Sequence, residues 1–271
     1  MSLVRPIALK VPKITIFFWI VKLLTTAMGE ATSDYFVHHM DPVIAVVLGA
    51  IGFAIALVLQ LSVRRYIAFF YWLAVVMVAV FGTMAADVLH VRFGVPYALS
   101  AALYGTILLF VFVAWYLTEK TLSIHSINTR RRELFYWAVV FATFAVGTAT
   151  GDMTATTLHL GYLSSAILFA GVIVIPVIGF WLFGLNEVIA FWFAYVVTRP
   201  LGASLADWMG FPHSVGGLNW GHGTVALVTT FMIAVFVAYL SVSRVDVEPS
   251  RFGPNASSTP VTSLGSDSGS P

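Results

Sequence analysis

Residues 136–152 read YWAVVFATFAVGTATGD, and the same frame returns at 18–34 (FWIVKLLTTAMGEATSD), 71–87 (YWLAVVMVAVFGTMAAD) and 191–207 (FWFAYVVTRPLGASLAD). In each copy an aromatic pair ending in Trp is followed after nine residues by Gly. Four residues beyond the Gly comes a small residue, and then Asp. Self-similarity at fixed spacing marks one supersecondary unit copied and stacked. An acid repeated at one position of four apolar segments is costly in a membrane, so it points to function.

The surrounding composition sets the class. The chain is 59% hydrophobic and only 10% charged, with a mean hydropathy of +0.93, which belongs to membrane proteins rather than soluble ones. A membrane-spanning helix needs roughly 20 apolar residues. Stretches of that kind fall near 14–36, 42–62, 67–90, 96–117, 134–158, 162–184, 187–209 and 221–243. The sequence therefore predicts an all-α integral membrane protein with eight transmembrane helices. These form four tandem two-helix hairpins, about 13–62, 67–117, 134–184 and 187–243, within a membrane domain over 1–244. The first stretch carries a full copy of the repeat and reads as a retained helix, not a cleaved signal. Beyond residue 245 the chain is rich in Ser, Pro, Gly and Thr and reads as a disordered cytoplasmic tail.

Charge placement predicts the orientation. Arg5, Lys10, Lys13, Arg64, Arg65, Lys120, Arg130, Arg131, Arg132, Arg244 and Arg251 fall on one side, and only Arg92 lies in a loop on the other. Basic residues accumulate on the cytoplasmic side, so both termini are expected there. The repeats are then parallel, with Trp toward the cytoplasm and Asp152 about 30 Å along its helix from Arg132. The loop 118–133 separates two halves whose motif glycines are offset by 118 and 120 residues.

Gly29, Gly82, Gly147 and Gly202 each stand four before a small residue, a spacing that lets helix backbones approach closely in lipid. They are expected to mark helix-crossing points. Asp34, Asp87, Asp152 and Asp207 admit two readings: interhelical hydrogen-bond anchors, or a shared site that binds a cation or relays protons. Four ionised carboxylates in one place repel, and a cation, a base or bound protons must relieve them. Glu30 lies one turn before Asp34. His38, His90 and His159 follow their aspartates by four, three and seven residues, and carboxylate plus imidazole suits manganese or zinc. These three are the candidate metal ligands. Lys22 and Arg199 are bases inside predicted spans, expected to neutralise an acid or to snorkel. Pro200 cannot donate to the carbonyl four residues back and is expected to kink its helix.

Enzyme signatures are absent: no nucleophile elbow, no zinc-protease helix motif and no phosphate-cradling glycine loop. Cysteine is absent too, which removes disulfides and thiolate chemistry. The glycines 216, 217, 221 and 223 suggest a flexible outer loop around Trp220 and His222. Nothing points to nucleic acid. The lipid bilayer and a small cation are the expected partners, and no resident cofactor is indicated beyond a divalent metal as substrate. The expected function is a cation transporter or exporter of the cytoplasmic membrane. The alternatives are a non-transporting scaffold or sensor with structural aspartates, and a haem or quinone redox subunit.

Over most of its membrane region the chain resembles a bacterial family of predicted membrane-anchored proteins built from a repeat of unknown function. The stretches that carry the resemblance are 22–34 (KLLTTAMGEATSD), 81–90 (FGTMAADVLH), 121–137 (TLSIHSINTRRRELFYW), 147–159 (GTATGDMTATTLH) and 191–207 (FWFAYVVTRPLGASLAD). The resemblance implies an integral bacterial membrane protein and supplies no substrate or site residues.

Overall fold

The computed structural model describes residues 9–247, apart from the side chain of Val91. The expected tail from 248 onward, with Arg5 and Arg251, lies outside the described residues. The described chain is helical: α1 (Ile16–His39), α2 (Pro42–Ser62), α3 (Ala68–Asp87), α4 (Tyr97–Glu119), α5 (Arg130–Asp152), α6 (Tyr162–Val172), α7 (Val174–Phe183), α8 (Glu187–Gly210) and α9 (His222–Ser243). The helix ends follow local chemistry. Asp41 caps α2 by accepting from the amides of Val43 and Ile44, with Pro42 in the first turn, and Asn186 caps α8 in the same way. Gly184 ends α7 in the left-handed region, as a residue without Cβ does at little cost.

Among the described residues, seven segments are long and apolar enough to cross a membrane, counting α6 and α7 as one. The remaining long helix, α1, spans 24 residues but carries Lys22, Glu30 and Asp34. The sixth predicted span is interrupted at Ile173, three residues before Pro176, which has no amide hydrogen to continue the ladder. Pro200, by contrast, lies within α8, which runs as one helix from Glu187 to Gly210.

The four motif helices form a closed ring in which α1 packs on α3, α3 on α5, α5 on α8, and α8 back on α1. More than half of α3, α5 and α8 is buried (56–67%), against only 17–22% of the spans formed by α2, α4, α6/α7 and α9. The second group is therefore an outer layer whose apolar side chains suit lipid contact. Its packing corrects the tandem-hairpin expectation. Each outer helix lies mainly on the next motif helix, not on the one that precedes it in the chain: α2 on α3, α4 on α5, α6 on α8, and α9 on α1. The repeats interlock around the circle, and α9 on α1 closes it.

Two layers of the motif show how the ring is built. The aromatic pairs touch in rotation, Phe18 with Trp72, Tyr71 with Trp137, Tyr136 with Trp192, and Phe191 with Trp19, at ring-centroid distances of 5.7–6.1 Å. These separations are ordinary for tilted aromatic packing. Further along, each motif glycine faces the residue three before the glycine of the next motif helix. A Cβ on Gly29 would lie 2.6 Å from that of Ala79, and one on Gly82 would lie 2.7 Å from that of Phe144. Gly147 meets Arg199 in this way, and Gly202 meets Thr26. Contacts in register at two levels mean that the four inner helices run parallel.

The Trp end of the ring is sealed. Val11, Pro12 and Ile14 border one small void together with Phe18, Tyr71, Tyr136 and Phe191, one residue from each aromatic pair. Backbone bonds from Lys10 to Ile127, Lys13 to Asp246 and Tyr66 to Leu9 hold this segment down. Lys10, one of the basic residues that the sequence assigns to the cytoplasmic side, is buried and ion-paired with buried Glu133, which also accepts from Gln60 Nε2 at 3.0 Å. Tyr66 donates to Asp246. Burial pushes the Asp246 carboxyl above the usual carboxylate range, with the Tyr66 hydrogen bond opposing the shift. Burial, and then Asp246 itself, push the Tyr66 hydroxyl up.

Candidate functional site: an acidic layer at the open end of the ring

The site is built outward from the ring axis. One turn beyond the aromatic collar, Lys22 is buried and its Nζ has no hydrogen-bond partner. The ammonium lies 4.1 Å from the ring centre of Tyr195 and 4.3 Å from that of Phe144, a cation–π arrangement. Nearby, the hydroxyls of Tyr71 and Tyr136 are hydrogen-bonded to each other. Lys22 thus neither pairs with an acid nor snorkels.

Arg199 occupies the next level and is fully buried. Its Nη2 donates to Glu30 Oε2 at 2.6 Å, to Thr148 Oγ1 at 2.7 Å, and to Thr83 Oγ1. Glu30, Thr83 and Thr148 occupy one motif position, the residue after the glycine, in three different helices. One guanidinium therefore ties α8 to the other three members of the ring. Its Nη1 also reaches the Thr26 carbonyl at 3.4 Å. A buried cation is tolerated when paired and hydrogen-bonded in this manner.

Above Arg199 the carboxylates gather. Ligand atoms of Glu30, Asp152 and Asp207 all lie within 4.8 Å of one another, and so do those of Asp34, Asp207 and His222. Asp207 belongs to both groups. It is 3% exposed, and its Oδ1 has no hydrogen-bond partner. Asp87 occupies the same motif position on α3 but joins neither group. The inner group borders the Arg199 ion pair, while the outer group is partly open, with the Asp34 and His222 side chains 19% and 14% exposed. The repeated aspartates and Glu30 thus share one end of the ring.

His38, His90 and His159 do not join these groups. His38 Nδ1 turns back to the Asp34 carbonyl of its own helix, and the side chain is exposed. His90 stacks on Tyr97 and faces the Val95 carbonyl, and His159 is exposed at positive φ. For His90 and His159 the cause is backbone geometry: directly after Asp87 and Asp152 the α-helices widen into π-helical turns, Val88–Arg92 and Met153–Thr157. Wider turns rotate later residues off the aspartate stripe, so α-helical spacing no longer selects the same face.

The imidazole in the site is that of His222, the first residue of α9. The connection from α8 folds back onto the last turn of that helix. Leu218, Trp220 and Gly221 donate to the carbonyls of Trp208, Met209 and Gly210 at 2.7–3.2 Å, satisfying groups that a helix end leaves open. This zipper sets His222 against Gly210, where a Cβ would lie 2.6 Å from Nδ1, and edge-on to Phe211. His222 Nδ1 is 3.2 Å from Asp34 Oδ2. No interval from an aspartate in the sequence identifies this residue, because it enters from the outer helix that closes the ring.

A cavity of about 630 Å³ lies elsewhere. It is an apolar cleft bordered by Trp19, Leu23, Pro176, Phe180 and Phe191, and no member of the acidic layer lines it.

No curated protein and no solved structure matches the chain. A family described as Repeat of Unknown Function (DUF347) matches at residues 17–66, 70–121, 135–184 and 190–246. Each match contains one Trp-to-Asp motif and the outer helix that follows it. With four copies covering most of its length, the chain belongs to this repeat family.

Proposed function

We propose that the protein is a cation transporter of a bacterial cytoplasmic membrane. In this reading α1 is an eighth crossing, both termini are cytoplasmic, and the acidic layer faces outward. The observation that carries it is the convergence of Glu30, Asp34, Asp152 and Asp207 at the open end of the ring, directly above a buried arginine. Closely spaced carboxylates attract a cation because binding relieves their mutual repulsion. Arg199 then acts as a resident counter-charge, holding Glu30 when no substrate cation does. The seal of Val11 and Pro12 at the opposite end makes this an arrangement with access from one side only. Transport requires that seal to open while the outer groups close.

The test is uptake or extrusion by vesicles containing the protein, comparing wild type with Asp152→Asn and Asp207→Asn at equal insertion. Both variants are expected to lose transport; full activity in both removes the proposal. The tight glycine crossings favour one competing reading, a static scaffold whose aspartates are structural. A thermal-shift series separates the two, since a cation that binds only the native state raises apparent stability by about 2.7 kcal/mol at a hundredfold excess over Kd. The scaffold predicts no shift with any ion.

A further inference from the structure

We propose that Asp34, Asp207 and His222 form a binding site for a divalent transition-metal ion of the zinc class, and that this is the species the acidic layer takes up. The inference rests on the cation reading above and narrows it to a substrate class.

Three observations carry it. The ligand atoms of the trio fall within 4.8 Å of one another, close enough for one ion to touch all three. The buried Asp207 Oδ1 has no hydrogen-bond partner, nor has His222 Nε2, although the imidazole is packed against Gly210 and Phe211. Positioned polar atoms left without partners at an enclosed site are what a ligand would satisfy. The donor set is mixed: two carboxylates and an imidazole. Magnesium and calcium are held by oxygen, whereas an imidazole nitrogen favours zinc and its first-row neighbours. His222 is therefore the selecting residue, and the carboxylates alone would accept hard cations.

The sharing of Asp207 suggests the order of events. An ion enters past Asp34 and His222, which are partly exposed, to reach the buried Asp207. It then passes to Glu30, Asp152 and Asp207, where Glu30 must exchange Arg199 for the metal. The imidazole is left behind at that step, so selection takes place at the mouth.

The experiment uses the full chain in detergent, titrated with Zn²⁺ and separately with Mg²⁺, and with Co²⁺ as an absorbing probe of ligand type. Wild type is expected to bind Zn²⁺ more tightly than Mg²⁺. His222→Asn should weaken Zn²⁺ at least about tenfold, on the scale measured when shells around bound metals are altered, and leave Mg²⁺ unchanged. Asp34→Asn should weaken Zn²⁺ similarly, with Asp152→Asn weakening it less. Equal Zn²⁺ affinity in wild type and His222→Asn, or Mg²⁺ bound as tightly as Zn²⁺, overturns the inference and leaves cation transport standing. Absence of binding by any cation in wild type overturns both. Should His222→Asn fail to fold, the Co²⁺ spectrum of wild type decides: nitrogen ligation supports the site, and all-oxygen ligation removes it.

Discussion

Replacing Gly29 with Ala tests the closed ring through the sign of its effect. In an unhindered helix, Gly→Ala stabilises by about 0.5–1 kcal/mol, because the backbone loses less freedom on folding. At Gly29 the new methyl would lie 2.6 Å from Ala79 Cβ and 2.8 Å from the Ala79 carbonyl carbon, and the backbone atom cannot rotate away. Forcing a methyl into a packed interior costs about 1–3 kcal/mol, and contacts this short put Gly29 in the upper part of that range, so the net effect is a loss of about 1–2 kcal/mol. For a chain of this size 1 kcal/mol moves Tm by about 2–4 °C, giving a fall of about 2–8 °C. Gly105, in outer helix α4, is the internal control: a Cβ there meets no atom within 4 Å, so Gly105→Ala should leave Tm unchanged or raise it. The assay is thermal unfolding of purified protein followed by retention of the monodisperse peak. Adding Ala79→Gly to Gly29→Ala should restore part of the loss, which isolates the pairwise contact. A rise in Tm with Gly29→Ala, or equal shifts at positions 29 and 105, would refute the crossing of α1 and α3 at the motif glycine.

Two further expectations concern buried charge. Arg199→Met leaves Glu30 as an uncompensated buried carboxylate and should cost about 3–5 kcal/mol. Arg199→Met combined with Glu30→Gln should recover much of that loss in the same unfolding assay, and no recovery would mean the pair is not coupled. At the sealed end, the raised carboxyl of Asp246 contributes stability that is present below its unfolded pKa and lost as pH rises through the folded one. The Tm of Asp246→Asn should therefore gain on wild type as pH rises above the usual carboxylate range; a constant difference would contradict it.

Much of the ring could be read from the sequence because it depends on spacing that survives translation into structure. Trp and Asp lie fifteen residues apart in every copy, so in parallel helices their layers stack at matching heights. The glycine interval of small-xxx-small pairs likewise follows from helix geometry. Residues beyond the aspartates were not legible in this way. The π-helical turns after Asp87 and Asp152 changed the periodicity on which His90 and His159 had been judged. His222 was hidden for another reason: its proximity to Asp34 depends on α9 packing against α1, a contact between the two ends of the repeat array. The buried pair of Lys10 and Glu133 escaped for a similar cause, since the two residues are 123 apart in the chain and meet only through tertiary packing. Nor does local sequence tell that α2 leaves α1 for α3, because α2 is apolar over nearly its whole length.

The rotation that relates the motif helices is that of a cyclic tetramer, but here one chain supplies all four positions. In a true homotetramer each subunit would place the same side chain near the axis, so an arginine at the level of Arg199 would appear four times and repel itself. Its partner position would also carry four copies of one residue, with no freedom to mix an acid with hydroxyls. Joining the copies covalently removes that constraint. Ala79, Phe144 and Thr26 occupy the other three places at the arginine level, while Glu30, Thr83 and Thr148 surround the guanidinium. Tandem duplication thus let a fourfold frame acquire an off-centre charge, which a symmetric assembly of identical subunits could not build.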